Sequence, residues 1–227
     1  MALSLVLCAL CLAAVHGAGR AVTFKAEDGR ILNGYIVEAG ARPSPAVVLV
    51  PMLGGPKDDW QAVAERFGEA DITALAIDLP GGHLPADPRE AAAWPRDVAA
   101  AVGYLASRPD VRRSAIGVAG ASLGASLAAL EAAGDPRVRA IALVSPSLDY
   151  RGVRIETAVR QLGDRPVLFI ASLRDPYAAR SVKELAQAGS GLRETRWSET
   201  PAHGIALLAR EPDLVRSLVE WFQRTLG

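Results

Sequence analysis

Residues 114–134 read SAIGVAGASLGASLAALEAAG, and this stretch decides the fold of the 227-residue chain. The mainly apolar residues 114–119 predict a short strand, and the Ala/Leu-rich residues 123–133 predict a helix. Between them stands Gly120-Ala121-Ser122-Leu123-Gly124, which matches the pattern G-x-S-x-G at a turn from a strand into a helix. The sequence therefore predicts a serine on a tight turn at the carboxyl end of a strand.

The two glycines of this pattern have a steric explanation. A serine on such a turn has a strained backbone, and a bulky residue two positions before or after it would clash with the turn. The helix that follows offers backbone N–H groups and the positive end of its dipole to a developing oxyanion. The pattern predicts Ser122 as a nucleophile, and the alternative is a glycine-rich turn in which Ser122 only caps the helix.

Strand-like and helix-like segments alternate along the rest of the chain. The other predicted strands are Val22–Ala26, Arg30–Val37, Ala46–Val50, Ile72–Asp78, Val138–Val144, Val167–Ala171 and, at an edge, Leu192–Trp197. The other predicted helices are Asp58–Ala70, Asp97–Ser107, Tyr177–Ala188 and Leu214–Leu226. The first two strands flank Glu27-Asp28-Gly29, a turn signal for a hairpin. This order predicts an α/β fold with a mostly parallel central sheet, an N-terminal hairpin and helices on both faces.

A serine nucleophile needs a base, and the chain has three histidines: His16, His83 and His203. The serine motif goes with the chain order serine, acid, histidine, and only His203 follows Ser122. His83 comes too early in the chain and is interpreted as part of a pocket wall or as a solvent-facing side chain. His203 is therefore the predicted base, and a solvated loop histidine is the alternative.

Two aspartates are candidates for the acid that orients the imidazole. Asp175 follows the strand that ends at Ala171, and Asp149 follows the strand that ends at Val144. Because the loops after parallel strands open at the same edge of the sheet, both carboxylates are expected there. Asp175 is favoured because its strand is the last central one before His203, and Asp149 is the second candidate.

A glycine-rich bend, Pro51-Met52-Leu53-Gly54-Gly55, follows the strand Ala46–Val50. It matches neither the phosphate-loop pattern nor the dinucleotide-binding pattern. The backbone N–H near Leu53 is predicted to point at the same spot as the N–H of Leu123, so these two amides are the predicted oxyanion donors. Met52 and Leu53 are also candidate walls of an apolar acyl pocket.

The composition excludes several classes of protein. Lys plus Arg and Asp plus Glu both total 25, so the basic surplus of a nucleic-acid binder is missing and no such partner is expected. The only cysteines, Cys8 and Cys11, cannot build a disulfide scaffold or a Cys/His zinc site. No metal and no other cofactor is expected, and the expected partner is a small-molecule acyl substrate.

The N-terminus has the pattern of a targeting segment. The apolar run Leu3–Val15 is too short for a bilayer, which takes about 20 residues, and small residues follow it. Residues 1–19 are therefore predicted to be a signal peptide, and residues 20–227 a single domain exported to the periplasm or the extracellular space, with no membrane span. An uncleaved membrane anchor and a buried first helix are the alternatives.

The sequence resembles the α/β-hydrolase superfamily, near its dienelactone-hydrolase-like and esterase-like branches, in four segments: VVLVPMLGG (47–55) with Trp60, AIDLPGGH (76–83), GVAGASLGA (117–125), and the pair Asp175 and His203. The resemblance implies a small serine hydrolase. Carried over residue by residue, it implies Ser122 as nucleophile, His203 as base, Asp175 as acid, and the amides of Leu53 and Leu123 as oxyanion hole.

The chain also departs from the family pattern. Pro51-Met52 stands where the family usually has His-Gly, and Ser122 stands where dienelactone hydrolases have cysteine. Relatives with a large lid insert it between the strands ending at Val144 and beginning at Val167, and here 22 residues separate them, so a minimal lid is expected. The resemblance implies cleavage of carboxylic esters of small acyl substrates through an acyl-enzyme. A peptidase, a thioesterase and a catalytically silent binding protein are the alternatives.

Overall fold

The computed structural model describes residues 18–79, 94–150 and 152–227. The predicted signal peptide, apart from its last two residues, and His83 lie outside these ranges, as do His16 and both cysteines. No helix within the ranges is long and apolar enough to cross a bilayer.

The strands of these ranges are β1 (Arg20–Lys25), β2 (Ile31–Val37), β3 (Ser44–Val50), β4 (Thr73–Ile77), β5 (Val111–Ala121), β6 (Val138–Val144), β7 (Asp149–Tyr150), β8 (Val153–Arg154), β9 (Val167–Ser172) and β10 (Arg193–Ser198). The α-helices are α1 (Gln61–Glu69), α2 (Trp94–Ser107), α3 (Leu123–Gly134), α4 (Glu156–Gln161), α5 (Pro176–Leu185), α6 (Ile205–Arg210) and α7 (Pro212–Leu226). The predicted strand and helix on either side of Ser122 are β5 and α3.

Eight of these strands form one sheet in the order β1-β2-β4-β3-β5-β6-β9-β10. The pairings β1–β2 and β2–β4 are antiparallel, and the other pairings of this sheet are parallel. The hairpin turn places Gly29 at a φ of +83°, which glycine adopts without strain. The predicted mostly parallel sheet with an N-terminal hairpin is therefore confirmed.

Helices cover both faces of the sheet. Helices α2, α3 and α5 pack on one face with Val48 of β3, and α1, α6 and α7 pack on the other face with Leu49 of the same strand. Adjacent residues of a strand point to opposite faces, so a strand between two helix layers needs an unbroken apolar run. The position of β3 between two helix layers explains the sequence AVVLV at residues 46–50. Polar side chains are left to the carboxyl ends of the strands.

Three local features differ from the sequence-based expectations. The helix predicted from Asp58 begins as a 3-10 turn over Lys57–Trp60 and becomes α-helical at Gln61. The segment between β6 and β9 holds the ribbon β7–β8 as well as one short helix, α4. The short helix α6 was not predicted, because six residues are too few to give a clear helical period.

A carboxyl pair lies at the far end of α3. Burial raises the pKa of Glu131 to about 7, and the neighbouring carboxylate of Asp135 adds to the rise. Asp135 accepts a 2.6 Å hydrogen bond from the Arg137 guanidinium, which favours its charged form. Glu131 therefore binds its proton more tightly in the folded chain than in the unfolded chain.

We expect Glu131→Gln to raise the free energy of unfolding by about 1–2 kcal/mol at pH 8 and to change it little at pH 5. The folded-state pKa is raised, so the stability that protonated Glu131 contributes is lost as the pH rises through about 7, and glutamine stays neutral throughout. Urea unfolding at both pH values measures the difference. Glu184→Gln, on the exposed side of α5, is the control, and an equal effect of Glu131→Gln at both pH values contradicts the assignment.

Candidate active site

Ser122 lies between β5 and α3 with a φ of +53° and a ψ of −118°. Non-glycine residues adopt such a backbone at a cost of about 1–3 kcal/mol, and only where the surroundings enforce it. The Ser122 N–H donates to the carbonyl of Val144 at 2.9 Å, and the Ala125 N–H donates to the carbonyl of Ser122 at 3.0 Å. The turn is thus fixed from the neighbouring strand and from the helix.

The glycines on either side of Ser122 leave no room for a side chain. A Cβ atom on Gly120 would lie 2.1 Å from the carbonyl oxygen of Gly124. A Cβ atom on Gly124 would lie 2.4 Å from the carbonyl oxygens of both Val50 and Pro51. The bend that follows β3 therefore packs directly against the first turn of α3, as the steric argument from the sequence requires.

The structure brings Ser122, His203 and Asp175 together in one hydrogen-bonded chain. The Oγ atom of Ser122 lies 2.8 Å from Nε2 of His203, and Nδ1 of His203 lies 2.5 Å from Oδ2 of Asp175. Ser122 and Asp175 are largely buried, whereas 41% of the His203 side chain is exposed. With the proton on Nδ1 donated to the carboxylate, Nε2 is free to accept the proton of the serine hydroxyl.

Asp175 has a second hydrogen bond that fixes its carboxylate. It caps the N-terminus of α5, where Oδ1 accepts from the Ala178 N–H at 3.1 Å while Oδ2 faces the imidazole. Pro176 follows as the first helical residue, a position at which proline lacks no hydrogen bond. The dipeptide Asp175-Pro176 therefore starts the helix and orients the acid at the same time.

Asp149, the second candidate acid, lies in the ribbon β7–β8. It accepts hydrogen bonds from Nε of Arg154 at 2.8 Å and from the Gly152 N–H at 2.6 Å. The bond from Arg154 holds the pKa of Asp149 below its ordinary value. The Asp149 carboxylate therefore stabilises the ribbon, whereas the Asp175 carboxylate binds the imidazole of His203.

The two predicted oxyanion donors lie on the bend after β3 and at the start of α3. The bend is closed by a 3.0 Å hydrogen bond from the Gly55 N–H to the Met52 carbonyl, with Gly54 at a φ of +74°. Leu53 stands inside this turn, and Leu123 is the first residue of α3. Within residues 18–79, 94–150 and 152–227, neither backbone N–H donates to a backbone acceptor.

A polar network that the sequence did not predict joins the acid loop to the histidine loop. Ser172 donates to the carbonyl of Thr200 at 2.6 Å and accepts from the Arg174 N–H at 2.9 Å. Glu211 accepts from the hydroxyls of Ser198 and Thr200, which lower its pKa. Serines and threonines at the ends of strands indicate that such hydrogen bonds are possible. The sequence does not show which residues of distant segments are their partners.

An open groove of the described surface lies away from these side chains. It has a volume of about 710 Å³ and runs between α1, α6 and α7. Ile205 is the wall residue nearest in sequence to His203, and Ser122, Asp175 and His203 are not part of the lining. Within residues 18–79, 94–150 and 152–227, no group of three His, Cys, Asp or Glu side chains is placed to hold a metal ion.

Comparison with known proteins gives a family match and several structural matches. A model of the alpha/beta hydrolase family matches residues 47–226. The thiohydrolase apmlB of Arthrinium phaeospermum is 33% identical over 136 residues, which are 58% of this chain and 44% of that protein. The chain therefore spans less than half the length of this relative.

Two solved structures are similar in fold. The structure of DcsB in complex with its substrate analogue matches with a TM-score of 0.81 and 16% identity, covering 92% of this chain and 100% of that chain. The dienelactone hydrolase of Anabaena variabilis matches with a TM-score of 0.76 and 19% identity, covering 92% and 99%. At these identities the likeness concerns the fold alone.

Proposed function

Because the chain belongs to the alpha/beta hydrolase family, we propose that it is a serine hydrolase that cleaves carboxylic esters of small acyl substrates. The observation that carries the proposal is the hydrogen-bonded chain from Ser122 through His203 to Asp175. A serine hydroxyl is a poor nucleophile until a base takes its proton, and the 2.8 Å contact with Nε2 places that base within reach.

In the first half of the proposed reaction, the Ser122 oxygen attacks the acyl carbonyl while His203 takes the hydroxyl proton at Nε2. Asp175 stabilises the imidazolium that forms, and the N–H groups of Leu53 and Leu123 bind the oxyanion. His203 then donates the proton to the leaving alcohol as the ester bond breaks, which leaves the acyl group on Ser122.

In the second half, a water molecule attacks the acyl-enzyme. His203 takes a proton from this water and returns it to the Ser122 oxygen as the acyl bond breaks, which releases the acid and restores the enzyme. No cofactor is required for either half, because proton transfer and charge stabilisation account for every step.

Exposed apolar side chains near Asp175 in the chain support an apolar acyl group. Leu173 and Tyr177 keep large exposed surfaces on either side of Asp175, with 43% and 51% of each residue accessible. The phenol of Tyr177 donates to the carbonyl of Asp149 at 2.6 Å, which fixes the ring in place although it is exposed. An exposed ring that is held by a hydrogen bond suits contact with an apolar ligand, and exposed Leu173 adds further apolar surface. Half-buried Met52 and Leu53 are the matching candidates on the bend after β3.

A second candidate function is the cleavage of thioesters by the same residues. It is favoured by the relative at 33% identity, which is a thiohydrolase. The chemistry differs only in the leaving group, which is a thiol and needs less help from His203 as a proton donor. The Ser122 and oxyanion steps are the same for both substrates.

A panel of p-nitrophenyl acetate, butyrate and octanoate, together with the matching N-acetylcysteamine thioesters and a peptide p-nitroanilide, tests the proposal with the purified protein. We expect hydrolysis of the oxyesters above the uncatalysed rate. A higher kcat/KM for every thioester favours the second candidate, and cleavage of the anilide alone favours a peptidase. Hydrolysis of none of these compounds contradicts the proposal and favours a binding protein.

We also propose that the protein is exported, on the basis of the apolar run Leu3–Val15. Sequencing the N-terminus of the protein recovered outside the cytoplasm tests this proposal. A first residue at or near Arg20 is expected, and recovery of the full-length chain in the cytoplasm alone contradicts it.

A further inference from the structure

Ser145, the residue that follows β6, is fully buried and has a φ of +48°. Among the described residues, only Asp71, Ser122 and Ser145 combine a side chain with a positive φ. Ser122 and Ser145 stand at the carboxyl ends of the neighbouring strands β5 and β6. A strained backbone of this kind persists only where the surroundings hold it, which points to a specific contact.

That contact is a hydrogen bond to the loop that carries the base. The Oγ atom of Ser145 accepts from the buried N–H of Gly204 at 2.9 Å, and Gly204 directly follows His203. Gly204 itself has a φ of +57°, and a Cβ atom there would lie 3.4 Å from the sulfur of Met52. The backbone next to the imidazole is therefore held between the Ser145 hydroxyl and the bend after β3.

Ser145 is also linked to Ser122, through Val144, its neighbour in the chain. The Ser122 N–H donates to the carbonyl of Val144, and the Ser145 N–H donates to the carbonyl of Ile170 at 2.7 Å. Val144 at the end of β6 therefore contacts the serine turn, and Ser145, which follows it, contacts the histidine loop. The geometry of these two residues sets the separation of the two loops.

We propose that Ser145 is a positioning residue, whose hydroxyl oxygen holds the His203 loop so that Nε2 stays within proton-transfer distance of Ser122. The inference rests on the proposed hydrolase function. Ser145 touches neither the substrate nor the reacting atoms, so its loss moves the base without removing any reacting group. A displacement of the base by about 1 Å is enough to reduce the rate of the chemical step about a hundredfold.

Ser145→Ala tests the inference, with Ser147→Ala as the matched control. Ser147 is a buried serine two residues further on, and it makes no hydrogen bond to the histidine loop in the described ranges. We expect Ser145→Ala to lower kcat for p-nitrophenyl acetate about 10- to 100-fold with KM within threefold, and Ser147→Ala to leave both within twofold. Wild-type kcat in folded Ser145→Ala overturns the inference.

A proton NMR measurement separates positioning from a loss of fold. We expect the imidazole proton that faces Asp175 to give a strongly downfield resonance in the wild type, to shift or broaden in Ser145→Ala, and to be unchanged in Ser147→Ala. An unchanged resonance in Ser145→Ala overturns the inference. Because this measurement needs no turnover, it tests the positioning role even if the ester panel contradicts the proposed function.

Ser145→Cys serves if the alanine variant does not fold. The thiol keeps an acceptor at this position, although its sulfur is larger than the hydroxyl oxygen and accepts more weakly, so the bond to the His203 loop is weakened but not removed. We expect a folded protein with an intermediate kcat and a shifted downfield resonance. If Ser145→Cys has the kcat and the downfield resonance of the wild type, the inference is overturned.

Discussion

Ser122→Ala is expected to lower kcat/KM for p-nitrophenyl acetate by about 10⁴–10⁶-fold. The substitution removes the attacking oxygen, and the rate that remains comes only from the oxyanion amides and substrate binding. Spectrophotometric assays of the two proteins measure the loss, with thermal melting as the check on folding. Turnover within tenfold of the wild type in a folded Ser122→Ala protein would contradict the assigned nucleophile.

Ser122→Gly is the matched control for the backbone at this position. Both variants lack the hydroxyl, but alanine keeps the Cβ atom at a φ of +53° whereas glycine adopts this conformation freely. We therefore expect the glycine variant to be more stable than the alanine variant by about 1 kcal/mol, the reverse of their usual order in regular structure. Equal or lower stability of the glycine variant contradicts the strained turn.

Asp175→Asn is expected to lower kcat by about 10³–10⁴-fold, whereas Asp149→Asn leaves it within twofold. An amide at position 175 presents a donor or a neutral oxygen to Nδ1, so it neither fixes the reactive tautomer nor stabilises the imidazolium. Asp149 pairs with Arg154, and its loss loosens the ribbon without touching the base. Steady-state assays of the two variants under one set of conditions compare the aspartates directly.

The relative order of the two losses is decisive because both substitutions remove one charge at the same edge of the sheet. A general electrostatic effect would give similar losses for both variants. A larger loss in Asp149→Asn than in Asp175→Asn would assign the acid to the ribbon and contradict the geometry at His203.

Much of the fold follows from local sequence patterns. The unbroken apolar run at residues 46–50 requires helices on both faces of the sheet, and Gly120 and Gly124 fix the turn between β5 and α3 by steric exclusion. The chain order serine, acid, histidine selects His203 as the base, because it is the only histidine after Ser122. These inferences work because each depends on a few neighbouring residues and a rule of backbone geometry.

Other features depend on contacts between distant parts of the chain. Strand order favours Asp175 over Asp149, but only the position of the imidazole, which is set by the loop after β10, decides between the two aspartates. The bonds of Ser172 to Thr200 and of Ser145 to Gly204 join residues that are 28 and 59 positions apart. A serine at the end of a strand has many possible partners, so only the folded chain identifies the one it binds.

The most direct test of the central claim is to label the protein with a fluorophosphonate and to map the adduct by peptide mass spectrometry. A fluorophosphonate reacts with a serine whose hydroxyl is activated by a base and whose oxyanion is stabilised. A single adduct on Ser122, absent from His203→Ala, is the predicted result. No adduct, or an adduct on another serine, would contradict the activation of Ser122 by His203.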